Sequence, residues 1–378
     1  MADSSQDHDH DQIKILVVDD SAVIRGFVRR FLETDPFLKV VSSVSNGEQA
    51  VKALERMDYD VIVLDIEMPV MDGLTALPLL LKINPNVQVI MSSTLTKENA
   101  TVTFQALSMG AAECLAKPTT TSEISGGGSY RDSLVEKAFE LGKVSRLKKG
   151  NPFVAEINRA RVKKAHSSSV VAKKETKTIV LRPPNNLRKP QAIAIGSSTG
   201  GPQALLQVLS SLTDIEQPIF ITQHMPPTFT TILAKNIHQK TGVSCYEAED
   251  GMYVENKSIY VAPGDYHMTV EHSNGRYVLR LNQKEPENFC RPSVDPMMRS
   301  LCKVYGRKFL AVILTGMGQD GLKGCEKLAE LGGNIIAQDE KSSVVWGMPG
   351  AVSLAGLCND VVPLSQMASK IKTYAQGA

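Results

Sequence analysis

The sequence predicts an α/β protein with two parallel-sheet domains joined by a linker. Short apolar runs alternate with helical patterns in the first third of the chain and again after residue 190. Between them lies a stretch rich in Thr, Ser, Gly and Lys, which cannot bury much apolar surface. Strands that alternate with helices indicate parallel, doubly wound sheets. Polar residues follow several strands, at the sheet edge where binding sites form.

Composition excludes several functional classes. A length of 378 residues is typical of two or three domains, and a net charge of +2 provides no general attraction to nucleic acid. The longest apolar run is about six residues, whereas a membrane span needs about 20. Residues 1–12 are polar and lack the apolar core of a secretory signal, so we expect a disordered tail. Six cysteines without a C-x-x-C spacing favour free thiols, and we expect a cytoplasmic protein with no membrane insertion and no nucleic-acid partner.

The N-terminal domain is predicted over residues 13–122. Its strands are short and strongly apolar: Ile15–Val18, Val61–Leu64 and Val87–Met91. Helical patterns lie between them, over Ala22–Leu32 and Glu48–Leu54. This alternation predicts a doubly wound domain of the flavodoxin-like type.

Polar side chains follow the strands of this domain at their carboxyl ends. Asp19 and Asp20 follow the first strand, Asp65 and Ser92 follow two later strands, and Lys117 lies near the end of the domain. Three crowded carboxylates favour Mg²⁺, and a lysine and a hydroxyl beside the metal suit a phosphoryl group. Each residue has a simpler interpretation, since an aspartate pair can cap a helix and Lys-Pro can form a turn. Five such positions on one edge favour a binding site.

A linker is predicted over residues 123–188. It begins near three consecutive glycines at 126–128 and includes a possible helix over 131–149, with apolar residues on one face. Beyond Gly150 come Lys-Lys, Ser and Pro-Pro runs, which predict a flexible basic tether. The basic residues could contact an anionic partner, but a solvated linker is the preferred interpretation.

The C-terminal α/β domain is predicted over residues 189–376. Ala192–Ile195 reads as a buried strand, and the glycine-rich turn Gly196–Gly201 leads from it into a helix opened by Pro202. Such a turn can hold a serine nucleophile beside backbone N–H groups that form an oxyanion hole. It can equally hold a phosphate.

A histidine and an aspartate occupy corresponding places after two other predicted strands. His224 follows Pro218–Thr222, and Asp320 lies in the turn after Phe309–Leu314. A serine needs a base to take its proton, and a carboxylate can hold that base in the required tautomer. Alone, the histidine would be structural and the aspartate a turn residue, but together the three predict acyl transfer. Their chain order matches none of the familiar hydrolase orders, which argues against the α/β-hydrolase fold.

Several motifs resemble known families. The N-terminal domain resembles the receiver domains of two-component response regulators, through Ile15–Asp20, Leu64–Pro69, Met71–Gly73 and Lys117-Pro118. The C-terminal domain resembles the catalytic domain of chemotaxis protein-glutamate methylesterases, the CheB family, through Gly196–Gly201, Gln223–Pro226, Gly316–Gly321 and Val345–Gly350. The order of receiver, linker and esterase also fits this family.

The receiver resemblance implies a phosphorylation site. Asp65 would accept phosphate from a sensor histidine kinase. Mg²⁺ would be held by Asp20, Asp65 and the backbone carbonyl of Glu67, with Asp19 assisting through water. The phosphoryl group would contact two further side chains, Ser92 and Lys117. Many receivers carry an aromatic residue where this chain has Cys114, and its absence argues against a rotamer switch at that position.

The CheB resemblance implies a serine esterase that needs no cofactor. Ser198 would be the nucleophile, His224 the base and Asp320 the orienting acid, and the N–H groups of Thr199 and Met317 would form the oxyanion hole. The family substrate is a glutamyl γ-methyl ester on the cytoplasmic helices of methyl-accepting chemoreceptors, hydrolysed to glutamate and methanol. Many members also deamidate receptor glutamines.

Two other functions are compatible with parts of the sequence. A response regulator that binds DNA would need a helix-turn-helix after the linker, and the sequence there predicts strands and glycine-rich turns instead. A general serine hydrolase, regulated by phosphorylation but acting on another ester or amide, would use the same three catalytic residues.

Overall fold

The structure is a computed structural model that describes residues 12–94, 97–117, 129–151, 179–183 and 189–377. The chain divides into two compact units, Met1–Thr176 and Lys177–Ala378. The predicted tail lies outside the described residues except for Gln12, and so does most of the predicted tether. Within the described ranges, no helix is both long enough and apolar enough to cross a membrane.

The N-terminal unit contains a parallel five-stranded sheet in the order β2-β1-β3-β4-β5. Its strands are β1 Ile13–Val18, β2 Leu38–Val44, β3 Val61–Asp65, β4 Gln88–Ser93 and β5 Glu113–Ala116. Its helices are α1 Ala22–Leu32, α2 Gly47–Arg56, α3 Gly73–Ile83, α4 Lys97–Ser108 and α5 Ser129–Lys148. The strand order reverses between β1 and β3, so a crevice opens at the carboxyl ends of these strands. The predicted doubly wound fold is confirmed.

Helix α1 shows how local sequence sets an element. The Ser21 side chain accepts a hydrogen bond from the N–H of Ile24 and so caps the helix. The helix packs on the sheet through a buried face formed by Val28, Phe31 and Leu32. The helix has the bounds that its apolar spacing predicts.

Helix α5 belongs to the N-terminal unit, although the sequence placed this helix in the linker. Its apolar residues Leu134, Ala138 and Leu141 are fully buried. The Arg146 guanidinium is also buried and lies 3.0 Å from the carboxylate of Asp60, the residue directly before strand β3. An apolar helical face needs a partner surface, and the five-stranded sheet supplies it. The linker residues 152–178 and 184–188 lie outside the described residues.

The C-terminal unit contains a parallel seven-stranded sheet in the order β14-β13-β12-β6-β7-β9-β8, and a separate antiparallel hairpin. The sheet strands are β6 Ala192–Ser197, β7 Ile219–Gln223, β8 Ser244–Glu247, β9 Ser258–Val261, β12 Phe309–Ile313, β13 Asn334–Gln338 and β14 Asp360–Val362. The hairpin strands are β10 His267–Ser273 and β11 Arg276–Asn282. The helices are α6 Gly201–Leu209, α7 Phe229–Thr241, α8 Val294–Tyr305, α9 Leu322–Glu330, α10 Met348–Leu354 and α11 Leu364–Gln376.

The centre of this sheet positions the candidate site. Strands β6, β7, β12 and β13 are buried along their whole length, as expected of parallel strands covered on both faces. Strand β6 lies between β12 and β7, so the carboxyl ends of these three strands lie side by side.

The short described segment 179–183 packs on the C-terminal unit. The Arg182 N–H donates to the carbonyl of Cys358, and its guanidinium donates to the carbonyl oxygens of Gly333 and Leu357. The sequence had assigned this segment to the tether.

Candidate active site and acidic cluster

The two serines at the end of β6, Ser197 and Ser198, have different environments. The Ser197 hydroxyl is fully buried and donates a hydrogen bond to Oε1 of Gln223, 2.7 Å away. Ser197 also pairs in register with Gln223, so the next residues, Ser198 and His224, follow neighbouring strands at the same level. Ser198 therefore lies at the sheet edge beside the histidine, where the sequence predicts the nucleophile.

Gln223 fixes the backbone of the nucleophile turn, a role that sequence reasoning missed. Its Nε2 donates to the carbonyl of Ser198 at 2.9 Å, while its Oε1 accepts from Ser197. A Cβ at Gly201 would lie only 1.9 Å from this Oε1, so a glycine is required there. The one sequence signal was a polar side chain at the end of an otherwise apolar buried strand.

Asp320 lies in a cage of hydrogen-bond donors. Its carboxylate accepts hydrogen bonds from the N–H groups of Val294, Asp295 and Gly321, the hydroxyl of Ser293, the amide of Asn288 and the ring of His224. Burial by itself raises the pKa of Asp320, but hydrogen bonds from His224 and the cage outweigh it and lower this pKa to about 2. Asp320 is therefore an anion at neutral pH.

His224 lies between Asp320 and a cysteine. Its Nε2 is 2.7 Å from Oδ2 of Asp320, and its Nδ1 is 3.4 Å from Sγ of Cys290. The ionised carboxylate only accepts hydrogen bonds, so Nε2 carries a proton and Nδ1 is the nitrogen that can act as base. Burial lowers the pKa of His224, but Cys290 and Asp320 outweigh this effect and raise that pKa from 6.5 to about 10. The side chains of Ser198 and His224 are both described, and no hydrogen bond joins Ser198 Oγ to the imidazole of His224.

The loop after β12 passes directly beside Ser198. A Cβ at Gly316 would lie 2.8 Å from Cβ of Ser198, so only a glycine allows this approach. The Gly316 carbonyl accepts hydrogen bonds from the N–H groups of Gly347 and Met348, at 3.0 and 2.8 Å. The loop is thus held rigidly by the Val345–Gly350 motif.

The two predicted oxyanion-hole residues flank this contact. Thr199 directly follows Ser198, and its carbonyl accepts a hydrogen bond from Oγ1 of Thr315 at 2.9 Å. Met317 directly follows Gly316, and within the described part of the chain its N–H has no hydrogen-bond partner. This placement favours the predicted roles of both residues, which stay predictions.

An acidic cluster lies at the carboxyl ends of β1 and β3. Carboxylate oxygens of Asp19, Asp20 and Asp65 lie within 4.8 Å of one another, and Nζ of Lys117 is 2.8 Å from both Asp19 and Asp65. Burial, opposed by Lys117, raises the pKa of Asp65 to about 6. Crowded carboxylate oxygens fit a hard divalent cation, which relieves their repulsion. Glu67 is exposed, and its backbone N–H hydrogen-bonds to Asp65.

Ser92 also lies at this cluster, and helix α5 brings an aromatic residue to it. Ser92 pairs in register with Asp65 on the neighbouring strand. The Tyr130 hydroxyl hydrogen-bonds to Ser92, and burial raises the pKa of Tyr130 to about 12. Cys114, where many receivers carry an aromatic residue, is buried, and burial raises the pKa of its thiol. Sequence reasoning missed Tyr130 because the glycines before it suggested a linker.

Comparisons with known proteins agree with this arrangement. A family model described as CheB methylesterase matches residues 193–371, and one described as response regulator receiver domain matches residues 15–126. A protein-glutamate methylesterase/protein-glutamine glutaminase of Rhodospirillum rubrum is 55% identical over 365 residues, covering 95% of this chain and 94% of the relative. Another from Azospirillum brasilense is 51% identical over 375 residues, covering 97% and 94%.

Among solved structures, the Thermotoga maritima CheB methylesterase catalytic domain is 38% identical, covers 49% of this chain and 98% of that chain, and has a TM-score of 0.47. The family assignment rests on the near-full-length relatives and on the two matched domains. The chain therefore belongs to the CheB methylesterase family and carries a response regulator receiver domain ahead of its methylesterase domain.

Proposed function

We propose that this protein is a phosphorylation-regulated protein-glutamate methylesterase that also deamidates protein glutamines. One observation carries the proposal: Ser198, His224 and Asp320 follow three adjoining strands of one parallel sheet, with Asp320 bound to the histidine. The curated relatives are named for the same pair of activities. The substrate is a glutamyl γ-methyl ester on the cytoplasmic helices of a chemoreceptor, and its hydrolysis provides adaptation in chemosensory signalling.

The first half of the reaction transfers the glutamyl group to the enzyme. Ser198 Oγ attacks the γ-carbonyl carbon while Nδ1 of His224 takes its proton, and Asp320 stabilises the imidazolium that forms. The oxyanion accepts hydrogen bonds from the N–H groups of Thr199 and Met317. Collapse of this intermediate breaks the bond to methoxide, which takes the proton from His224 and leaves as methanol.

The second half releases the product. His224 removes a proton from water, which attacks the glutamyl ester on Ser198, and collapse gives glutamate and free serine. Deamidation of a glutamine follows the same steps, with ammonia as the first leaving group. The base must leave its contact with Cys290 to serve Ser198, since Nδ1 is the nitrogen involved in both.

The receiver domain supplies the regulation. Its Asp65 accepts a phosphoryl group from a sensor histidine kinase, and Lys117 and Ser92 contact the phosphoryl oxygens. The 2.8 Å contact of Lys117 with Asp65 and the register pairing of Ser92 with Asp65 support these roles. Asp19, Asp20, Asp65 and the Glu67 carbonyl would hold Mg²⁺, which neutralises the carboxylates and the incoming phosphoryl charge. The reaction takes place in the cytoplasm, because both the kinase and the receptor helices are cytoplasmic.

The experiment that tests this function compares two substrates. The phosphorylated protein should release methanol from a methylated receptor fragment at a much higher kcat/KM than it hydrolyses a small chromogenic ester, and it should release ammonia from a glutamine-containing fragment. Equal efficiency on both esters would favour the general serine hydrolase, which uses the same three residues.

A further inference from the structure

Cys290 lies beside the catalytic base, within hydrogen-bonding distance of the nitrogen that would activate a nucleophile. Its Sγ lies 3.4 Å from Nδ1 of His224, and Asp320 binds the opposite ring nitrogen at 2.7 Å. Thiol, imidazole and carboxylate thus follow one another in the order of a catalytic triad. The proposed esterase mechanism uses the imidazole and the carboxylate but gives this thiol no role.

The loop around Cys290 holds the thiol in this position. The N–H of Cys290 donates to the carbonyl of Glu287 at 2.9 Å, and the reverse hydrogen bond measures 3.2 Å. Between them, the Asn288 amide donates to both Asp295 and Asp320. The backbone hydrogen bonds between Glu287 and Cys290 close the turn, and Asn288 ties it to Asp320, the carboxylate that binds His224.

The other cysteines lack such a contact. Four of them are buried: Cys114, Cys302, Cys325 and Cys358. Cys245 is partly exposed like Cys290, but burial raises the pKa of its thiol to about 12. Of the six cysteines, all of which are described, Cys290 alone contacts a histidine ring.

We propose that Cys290 is a modification site at which hydroperoxides switch off the esterase. The thiol sulfur attacks a peroxide oxygen while the O–O bond breaks, and the departing hydroxide takes the proton that Cys290 shares with Nδ1 of His224 and leaves as water. Cysteine is oxidised by two electrons to a sulfenic acid, and the peroxide is reduced. The added oxygen lies against Nδ1 and prevents His224 from serving Ser198. This inference rests on His224 being the base of the proposed esterase.

The test treats the full-length protein with hydrogen peroxide and follows two readouts. Sulfenic acid at each cysteine is trapped with dimedone and measured by mass spectrometry, and methanol release is measured on the same samples. Because general-base assistance is worth about 10²-fold or more, Cys290 should be oxidised about a hundredfold faster than Cys245. Methanol release should fall in step with Cys290 oxidation and return after treatment with a thiol reductant.

Two variants complete the test. Cys290→Ser keeps a hydroxyl donor for Nδ1, and its methanol release should be insensitive to peroxide relative to its own untreated rate. During peroxide treatment, Cys245→Ser should lose activity at the same rate as the wild-type protein. The proposal is overturned if Cys290→Ser is inactivated as fast as wild type, if oxidised Cys290 leaves activity intact, or if Cys290 reacts no faster than Cys245. If the untreated protein releases no methanol, the proposed function is contradicted instead. The oxidation rates of Cys290 and Cys245 still test whether Cys290 is the more reactive thiol.

Discussion

Oδ2 of Asp320 lies 2.7 Å from Nε2 of His224, so Nδ1 is left as the only ring nitrogen that can accept the proton of Ser198. This relationship defines the chemistry of the site, because it fixes the tautomer of the base. It also explains why Cys290 matters, since its thiol occupies the same nitrogen.

Replacing Asp320 with asparagine should remove this control. The amide would present donors to a cage made of donors, and the imidazole would lose the carboxylate that holds its tautomer. We expect kcat for methanol release to fall about 10⁴-fold. The matched control is Asp250→Asn, at an exposed carboxylate, which should keep wild-type turnover. A decrease of tenfold or less in a folded Asp320→Asn protein would remove Asp320 from the catalytic role.

The raised pKa of His224 predicts how activity depends on pH. A general base must be neutral, and the pKa of His224 is raised to about 10 by Cys290 and Asp320 against the effect of burial. The kcat/KM for receptor methyl esters should therefore rise as pH increases from 7 towards 10. In Cys290→Ser the pKa-raising effect of Cys290 is lost, and the rise should occur at lower pH. An identical flat profile for both proteins between pH 7 and 9 would contradict this.

The acidic cluster should be labelled by a small phosphodonor. Acetyl phosphate should phosphorylate the protein only when a divalent cation is present, because Asp65 is crowded by Asp19 and Asp20 without it. The label should be alkali-labile, and Asp65→Asn should carry none. Asp72→Asn is the control, since the Asp72 side chain caps α3 through the N–H of Thr75 and should not affect labelling. Equal labelling of Asp65→Asn would move the phosphoryl acceptor elsewhere.

Coupling between the domains should depend on a breakable interface rather than on the tether. A linker of the flexible kind that the sequence predicts would provide a high local concentration but would not transmit strain. We predict that the unphosphorylated receiver inhibits the esterase, with a coupling of about 1–3 kcal/mol, or roughly 5- to 150-fold. A fragment from Lys177 to Ala378, which keeps the packed Arg182, should then hydrolyse receptor esters faster than the unphosphorylated chain. A slower fragment would make the receiver an activator or a docking module.

Strand ends were the part of the molecule most accessible to sequence reasoning. Short buried strands such as Ala192–Ser197 have apolar runs on both faces, and a parallel sheet must bring their carboxyl ends to one edge. This reasoning placed Ser198, His224 and Asp320 together from the sequence alone. The bounds of α1 were predicted for a similar reason, because its apolar spacing is local.

Contacts between distant segments were not accessible in this way. Cys290 lies 66 residues from His224 in a loop without regular spacing, and Tyr130 reaches Ser92 only because α5 packs on the receiver sheet. The side chain of Gln223 acts by cross-linking two neighbouring strand ends. Such roles depend on the direction of a side chain in the folded unit, which composition and periodicity do not report.

Turnover by Ser198→Ala tests the central claim most directly. The purified variant and wild type would be compared for methanol release from a methylated receptor fragment, with folding checked by thermal unfolding. Ser197→Ala is the control, because the Ser197 hydroxyl is buried on Gln223 and its loss should cost about 1 kcal/mol of stability while activity remains. We predict that Ser198→Ala keeps its fold and loses at least about 10⁴-fold in kcat. Near-normal methanol release by folded Ser198→Ala would contradict the assignment of the nucleophile and, with it, the proposed mechanism.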